Sequence, residues 1–119
     1  MKFLIVDDSR AMRMLVRRAI RQAGYDVEYV EAENGKQAYD NLSEGNTYDL
    51  ILMDWNMPEM TGIELAETLQ KDGKRVKFGF ITTESTAPMR KKAADAGALF
   101  LLAKPFNADD LKTMLDRVL

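Results

Sequence analysis

Short apolar runs alternate with helix-period segments five times along this chain, and that alternation restricts its fold more than any other feature. The runs are Phe3–Val6, Val27–Val30, Leu50–Met53, Phe78–Thr82 and Leu99–Ala103. Runs this apolar predict strands buried on both faces, hence a parallel sheet covered by helices on either side. Right-handed crossovers then give a doubly wound α/β fold, a (βα)5 three-layer sandwich around five parallel strands.

The intervening segments carry helix signals. Ser9 can cap a helix in which Met12, Leu15, Val16, Ala19, Ile20 and Ala23 recur at three- and four-residue steps, with Gly24 as its stop. Asn34-Gly35 marks a turn into a helix with Ala38, Tyr39 and Leu42, ended by Gly45-Asn46. Thr61 and Glu64 have capping-box spacing before Ile63, Leu65, Ala66 and Leu69, and Asp72-Gly73 terminates that element. Pro88 suits the first turn of a helix that stops at Gly97. Asn107 can cap the last helix, with Asp109 and Asp110 in its first turn and Leu111, Met114, Leu115 and Val118 on one face.

At 119 residues the chain suits one domain with one core, read as 1–119 with no output domain. The net charge of −2 offers no positive field for nucleic acid. With no cysteine and no histidine, thiolate sites, His-ligated zinc and histidine acid–base catalysis are excluded. No apolar run suits a signal peptide or a membrane span, so the chain reads as soluble, cytoplasmic and monomeric.

Charged residues stand where the strands end. Asp7 and Asp8 close the first run, Asp54 the third, and Lys104, before Pro105, the last. In an open parallel α/β sheet the carboxyl ends of the strands face one crevice, so these four residues converge. Crowded carboxylates stay ionised most easily around a hard cation such as Mg²⁺, and a lysine beside them offers a point charge to a phosphoryl group. Each has a plainer alternative: Asp7-Asp8 capping the next helix, Asp54 facing water, Lys104 snorkelling.

Four segments together resemble the receiver domains of two-component response regulators. They are Val6-Asp7-Asp8-Ser9, Met53-Asp54-Trp55-Asn56-Met57-Pro58 with Gly62, Ile81-Thr82, and Lys104-Pro105-Phe106. The stretch after Asp54, with Glu84, is similar to chemotaxis receivers of the CheY type. The resemblance, not the pattern, supplies the strand order 2-1-3-4-5 and a cis Lys104-Pro105 bond. It implies that Asp54 accepts a phosphoryl group from the phosphohistidine of a CheA-type histidine kinase. Asp8, Asp54 and the Asn56 carbonyl would hold Mg²⁺, with Asp7 acting through water or by orienting the others. Lys104 would pair with Asp54 and later with the phosphoryl group, while Thr82 donates its hydroxyl. Asn56 and Glu84 would tune dephosphorylation.

The resemblance further implies a switching surface of fourth helix, fifth strand and fifth helix that binds a flagellar motor switch protein or a phosphatase. Such a chain is a signalling phosphoprotein, not an enzyme on other substrates. At the switch position such receivers carry an aromatic residue, and here Leu101 replaces it. A phosphorelay intermediate or phosphate sink is the alternative; a haloacid-dehalogenase-like hydrolase fits poorly, because that family needs Asp-x-Asp after its first strand. Arg10, Arg13, Arg17 and Arg21 read as a solvated charged face on the first helix, which kinases meet in this family. Arg90-Lys91-Lys92 reads the same way, and Met57, Met60 and Met89 as gap-filling.

Overall fold

A computed structural model describes residues 1–119. Its elements run β1 (Lys2–Val6), α1 (Arg10–Gln22), β2 (Glu28–Ala32), α2 (Gly35–Ser43), β3 (Leu50–Met53), α3 (Gly62–Lys71), β4 (Phe78–Thr82), α4 (Ala87–Asp95), β5 (Leu101–Ala103) and α5 (Ala108–Val118). The five strands form one sheet in the order β2-β1-β3-β4-β5, every pairing parallel. One apolar layer joins Phe3, Ile5, Leu50, Leu52 and Ile81 to α1 and α5 through Ile20, Leu111 and Leu115. The other joins Leu4, Val6, Ile51, Met53 and Phe80 to α2, α3 and α4 through Leu42, Leu65, Leu69 and Ala93. Alternate residues of each inner strand thus feed opposite layers, as the two-residue period of a strand requires.

The helix boundaries follow the capping signals. Ser9, Asn34, Thr61 and Asn107 each accept a backbone N–H of the first turn, and Thr61 and Asn107 complete capping boxes with Glu64 and Asp110. Thr86 caps α4, two residues before Pro88. Two strands differ from expectation. β2 lies later than Val27–Val30, and its Glu28 and Glu31 are exposed, because an edge strand need not be apolar on both sides. Strand β5 begins at Leu101, although the N–H of Leu99 still reaches the Phe78 carbonyl at 2.9 Å.

One glycine sets how closely α3 approaches the end of β3. The Gly62 N–H donates to the Trp55 carbonyl at 2.9 Å, which folds the loop back on itself. A Cβ at position 62 would lie 2.2 Å from the Asp54 carbonyl oxygen and 2.9 Å from the Phe80 ring. Backbone cannot yield as a side chain does. Gly62→Ala is therefore expected to cost about 1–3 kcal/mol, read from the midpoint of urea unfolding. An unchanged midpoint would mean that the loop after Asp54 is free to move away from α3.

Candidate functional site

Four side chains meet at the carboxyl ends of β1, β3 and β5. Single carboxylate oxygens of Asp7, Asp8 and Asp54 lie within 4.8 Å of one another. Asp7 is buried, Asp54 is half-buried and Asp8 stands exposed at the rim. Lys104 Nζ lies 3.1 Å from Asp7 Oδ2 and 3.6 Å from Asp54 Oδ1. The ammonium is thus shared, and it sits closer to Asp7 than to the expected partner Asp54.

The backbone places these groups. The Asp54 N–H donates to the Val6 carbonyl at 2.9 Å, so the ends of β1 and β3 stay level. Lys104 donates its N–H to the Thr82 carbonyl at 2.7 Å, which ties the lysine to the end of β4. The Lys104-Pro105 bond is cis. Around Asp7, the Ser9 N–H donates to Oδ1 at 2.9 Å. Because Ser9 itself caps α1, Asp8 is not consumed as a cap and stays with the carboxylate cluster.

Burial is the main influence on Asp54 and pushes its carboxyl pKa above the usual 3.8. Lys104 pulls it down, Asp7 pushes it up, the Trp55 N–H pulls it down and Asp8 pushes it up. Three clustered carboxylates are an oxygen-only donor set that suits a small hard cation. A shared lysine beside them offsets only part of the negative charge. Chemically, the arrangement can hold a divalent cation and present one desolvated carboxylate to an anionic electrophile.

A model of the response regulator receiver domain matches residues 3–116 of the sequence. The chain belongs to this family. It is 36% identical to the chemotaxis protein CheY1 of Helicobacter pylori, across 100% of this chain and 97% of that protein. It is also 36% identical to the chemotaxis protein CheY of Pseudomonas aeruginosa, across 99% and 95% of the two chains. Among solved structures, the Vibrio cholerae chemotaxis protein CheY4 matches with a TM-score of 0.84 at 34% identity, covering 99% of this chain and 98% of that one.

In this receiver the other expected residues lie on β4, on β5 and on the loops after β3 and β4. Thr82 ends β4 fully buried, and its hydroxyl accepts the Glu84 N–H at 3.4 Å. Asn56 and Glu84 are exposed, on the loops after β3 and β4. Leu101 is 7% exposed and lies in the apolar cluster with Phe80, Ala93 and Ala96. Of the cationic stripe on α1, Arg10 and Arg21 are exposed as expected. Arg13 is a correction: it is 8% exposed, and its guanidinium turns under the sheet end. There Nη1 donates to the Asp7 carbonyl at 2.6 Å and Nε donates to Glu31 Oε1 at 3.0 Å. Reading the second strand as Val27–Val30 left Glu31 outside the sheet, so the sequence pattern held no sign of this pair.

The raised pKa of Asp54 sets the sign of a stability change. Its folded value lies above its unfolded one, so folding carries a penalty at neutral pH, where the buried carboxylate is ionised. That penalty is relieved as pH falls through the raised pKa, and it is gone below about 3.8. Asp54→Asn leaves Lys104 its closer partner Asp7. In magnesium-free buffer the variant is expected to be more stable than the unmutated protein at neutral pH, read as a higher Tm. The gain should shrink as the buffer is made acidic. A gain independent of pH would mean that ionisation of Asp54 is not its source.

Proposed function

We propose that Asp54 accepts a phosphoryl group from the phosphohistidine of a histidine kinase. The observation that carries this reading is the geometry of Asp54: a desolvated carboxylate beside two other carboxylates, with the Lys104 ammonium 3.6 Å away. A carboxylate oxygen of Asp54 attacks phosphorus in line. The new O–P bond forms as the N–P bond breaks, and the departing imidazole nitrogen keeps the electron pair and takes a proton. Lys104 Nζ turns from the carboxylates to a phosphoryl oxygen. Asp8 and Asp54, with the Asn56 carbonyl, would hold Mg²⁺, and Asp7 would act through water or by orienting them; the cation would supply charge neutralisation for the carboxylates and the transferred group.

Thr82 is the proposed reader of the phosphoryl group. Its hydroxyl accepts one long hydrogen bond and leaves its own proton to donate. Its movement repacks the surface of α4, β5 and α5. Leu101 is already buried, so this switch proceeds without a side chain swinging in from solvent. Asn56 and Glu84 are exposed at the mouth and can orient water, which supports rapid self-dephosphorylation. The protein thus acts as a signalling phosphoprotein whose only chemistry is on its own aspartate. No helix is long and apolar enough to cross a membrane.

Chemotaxis is the pathway we favour, with a CheA-type kinase as donor and a flagellar motor switch protein as target. Similarity along the whole chain to chemotaxis proteins of two organisms supports it. Acetyl phosphate with Mg²⁺ is expected to add one base-labile phosphoryl group at Asp54, detected by intact mass and peptide mapping, and Asp54→Asn should take none. Label on a serine or threonine would sink the proposal. With beryllofluoride the affinity for a motor-switch peptide should rise, and Thr82→Ala should lose most of that rise while still being phosphorylated. Phosphorylation without any gain in affinity would instead favour a relay or phosphate-sink role.

A further inference from the structure

Asp7 is held from every side, and one of its contacts comes from a charge that the phosphorylation chemistry does not use. Its N–H donates to the Ala32 carbonyl at 3.1 Å, Oδ1 accepts from Ser9, and Oδ2 accepts from Lys104. Its carbonyl accepts from Arg13 Nη1 at 2.6 Å, the shortest of these contacts. Arg13 lies one turn inside α1, and Glu31 reaches it from β2. Arg17 Nη1 lies 3.5 Å from the other oxygen of the same glutamate, so Glu31 itself is held from two sides.

A buried guanidinium bonded to the main chain of one member of an acidic cluster has two opposed effects. Its charge repels a cation, which weakens metal binding. Its hydrogen bond fixes the peptide between Asp7 and Asp8, which sets where both carboxylates point. Glu31 supplies a negative charge 3.0 Å from Arg13 Nε and cancels much of the first effect while leaving the second. Arginine is suited to this because its planar fork serves two acceptors in different directions, whereas an ammonium is a single point donor.

We propose that Arg13, neutralised by Glu31, is a positioning residue that preorganises Asp7 and Asp8 for the divalent cation. This rests on the reading of Asp7, Asp8 and Asp54 as the cation site. Groups that orient metal ligands from behind typically change affinity about 10- to 100-fold when removed.

The sign of the effect separates this role from its alternatives. Removing a positive charge beside an acidic cluster should tighten Mg²⁺ binding by electrostatics alone. A purely structural arginine would lower Tm and leave the affinity of the folded protein unchanged. Positioning requires weaker binding despite the lost cation.

The test is a Mg²⁺ titration of the full chain by calorimetry, with Trp55 fluorescence as a second signal and Tm measured alongside. Arg13→Met is expected to raise the Mg²⁺ dissociation constant about 10- to 100-fold. Arg13→Lys should fall between it and the unmutated protein. Phosphorylation of Arg13→Met by acetyl phosphate should need more Mg²⁺ for half-maximal rate, and its rate at saturating Mg²⁺ should recover. An unchanged or lower dissociation constant in folded Arg13→Met overturns the proposal. If that variant does not fold, Arg13→Lys decides, and an affinity equal to that of the unmutated protein overturns it. If the unmutated protein takes up no Mg²⁺, the cation-site reading falls and this proposal falls with it.

Discussion

One ammonium group holds the carboxyl ends of three strands together. Lys104 follows the edge strand β5, yet its partners Asp7 and Asp54 follow β1 and β3, on the far side of β4. At the spacing of parallel strands, β5 and β1 are roughly 14 Å apart across a flat sheet, further than two side chains comfortably span. The right-handed twist of the sheet and the turn after Ala103 have to bring the lysine inward. The hydrogen bond from the Lys104 N–H to the Thr82 carbonyl makes β4 the support for that turn. Without the shared cation, Asp7 and Asp54 would face each other as buried like charges, a costly arrangement.

The packing below the crevice answers to the same demand. Gly62 lets α3 press on the Asp54 main chain, and Gly79 leaves room in β4 for the Phe100 ring, whose atoms a Cβ there would meet at 2.4 Å. Trp55 packs on Phe80 with ring centroids 4.9 Å apart, so the residue after Asp54 is anchored in the core while its N–H donates to the Asp54 carboxylate. The carboxylate therefore sits on a rigid strand end, the kind of support that a precisely aimed group needs. Asn56 and Glu84, by contrast, lie on exposed loops where side chains are free to differ without disturbing this frame.

Much of this was legible in the sequence for a simple reason. In a parallel sheet the strands all end on the same side, so acidic residues after two apolar runs face one crevice, and the order that sets β1 beside β3 came from the family resemblance. Cap residues are equally legible, since Ser9, Thr61 and Asn107 act within four residues of themselves, whereas Asn34 reads only as a turn and proves to cap α2. What stayed hidden depends on contacts between distant elements. Periodicity cannot tell which arginine of α1 turns inward, because the answer lies in the Asp7 carbonyl and in Glu31 on β2. The edge strand itself was misplaced because its exposed glutamates weaken the apolar signal on which strand recognition rests.

The site and the stability of the fold pull in opposite directions. Desolvation that raises the pKa of Asp54 penalises its ionised form, yet the ionised form is the one that can attack phosphorus or hold a cation. The fold can carry this penalty because Lys104 offsets part of it, and because two apolar layers close over both faces of the sheet. Any divalent cation that binds the folded cluster adds stability through mass action, in proportion to the logarithm of its concentration over its dissociation constant. On the proposed function, phosphorylation would replace one crowded charge by a larger one beside Lys104 and Thr82. On that reading the charge would bias two packings of α4, β5 and α5, and a gap of a few kcal/mol between such packings is enough for a signal.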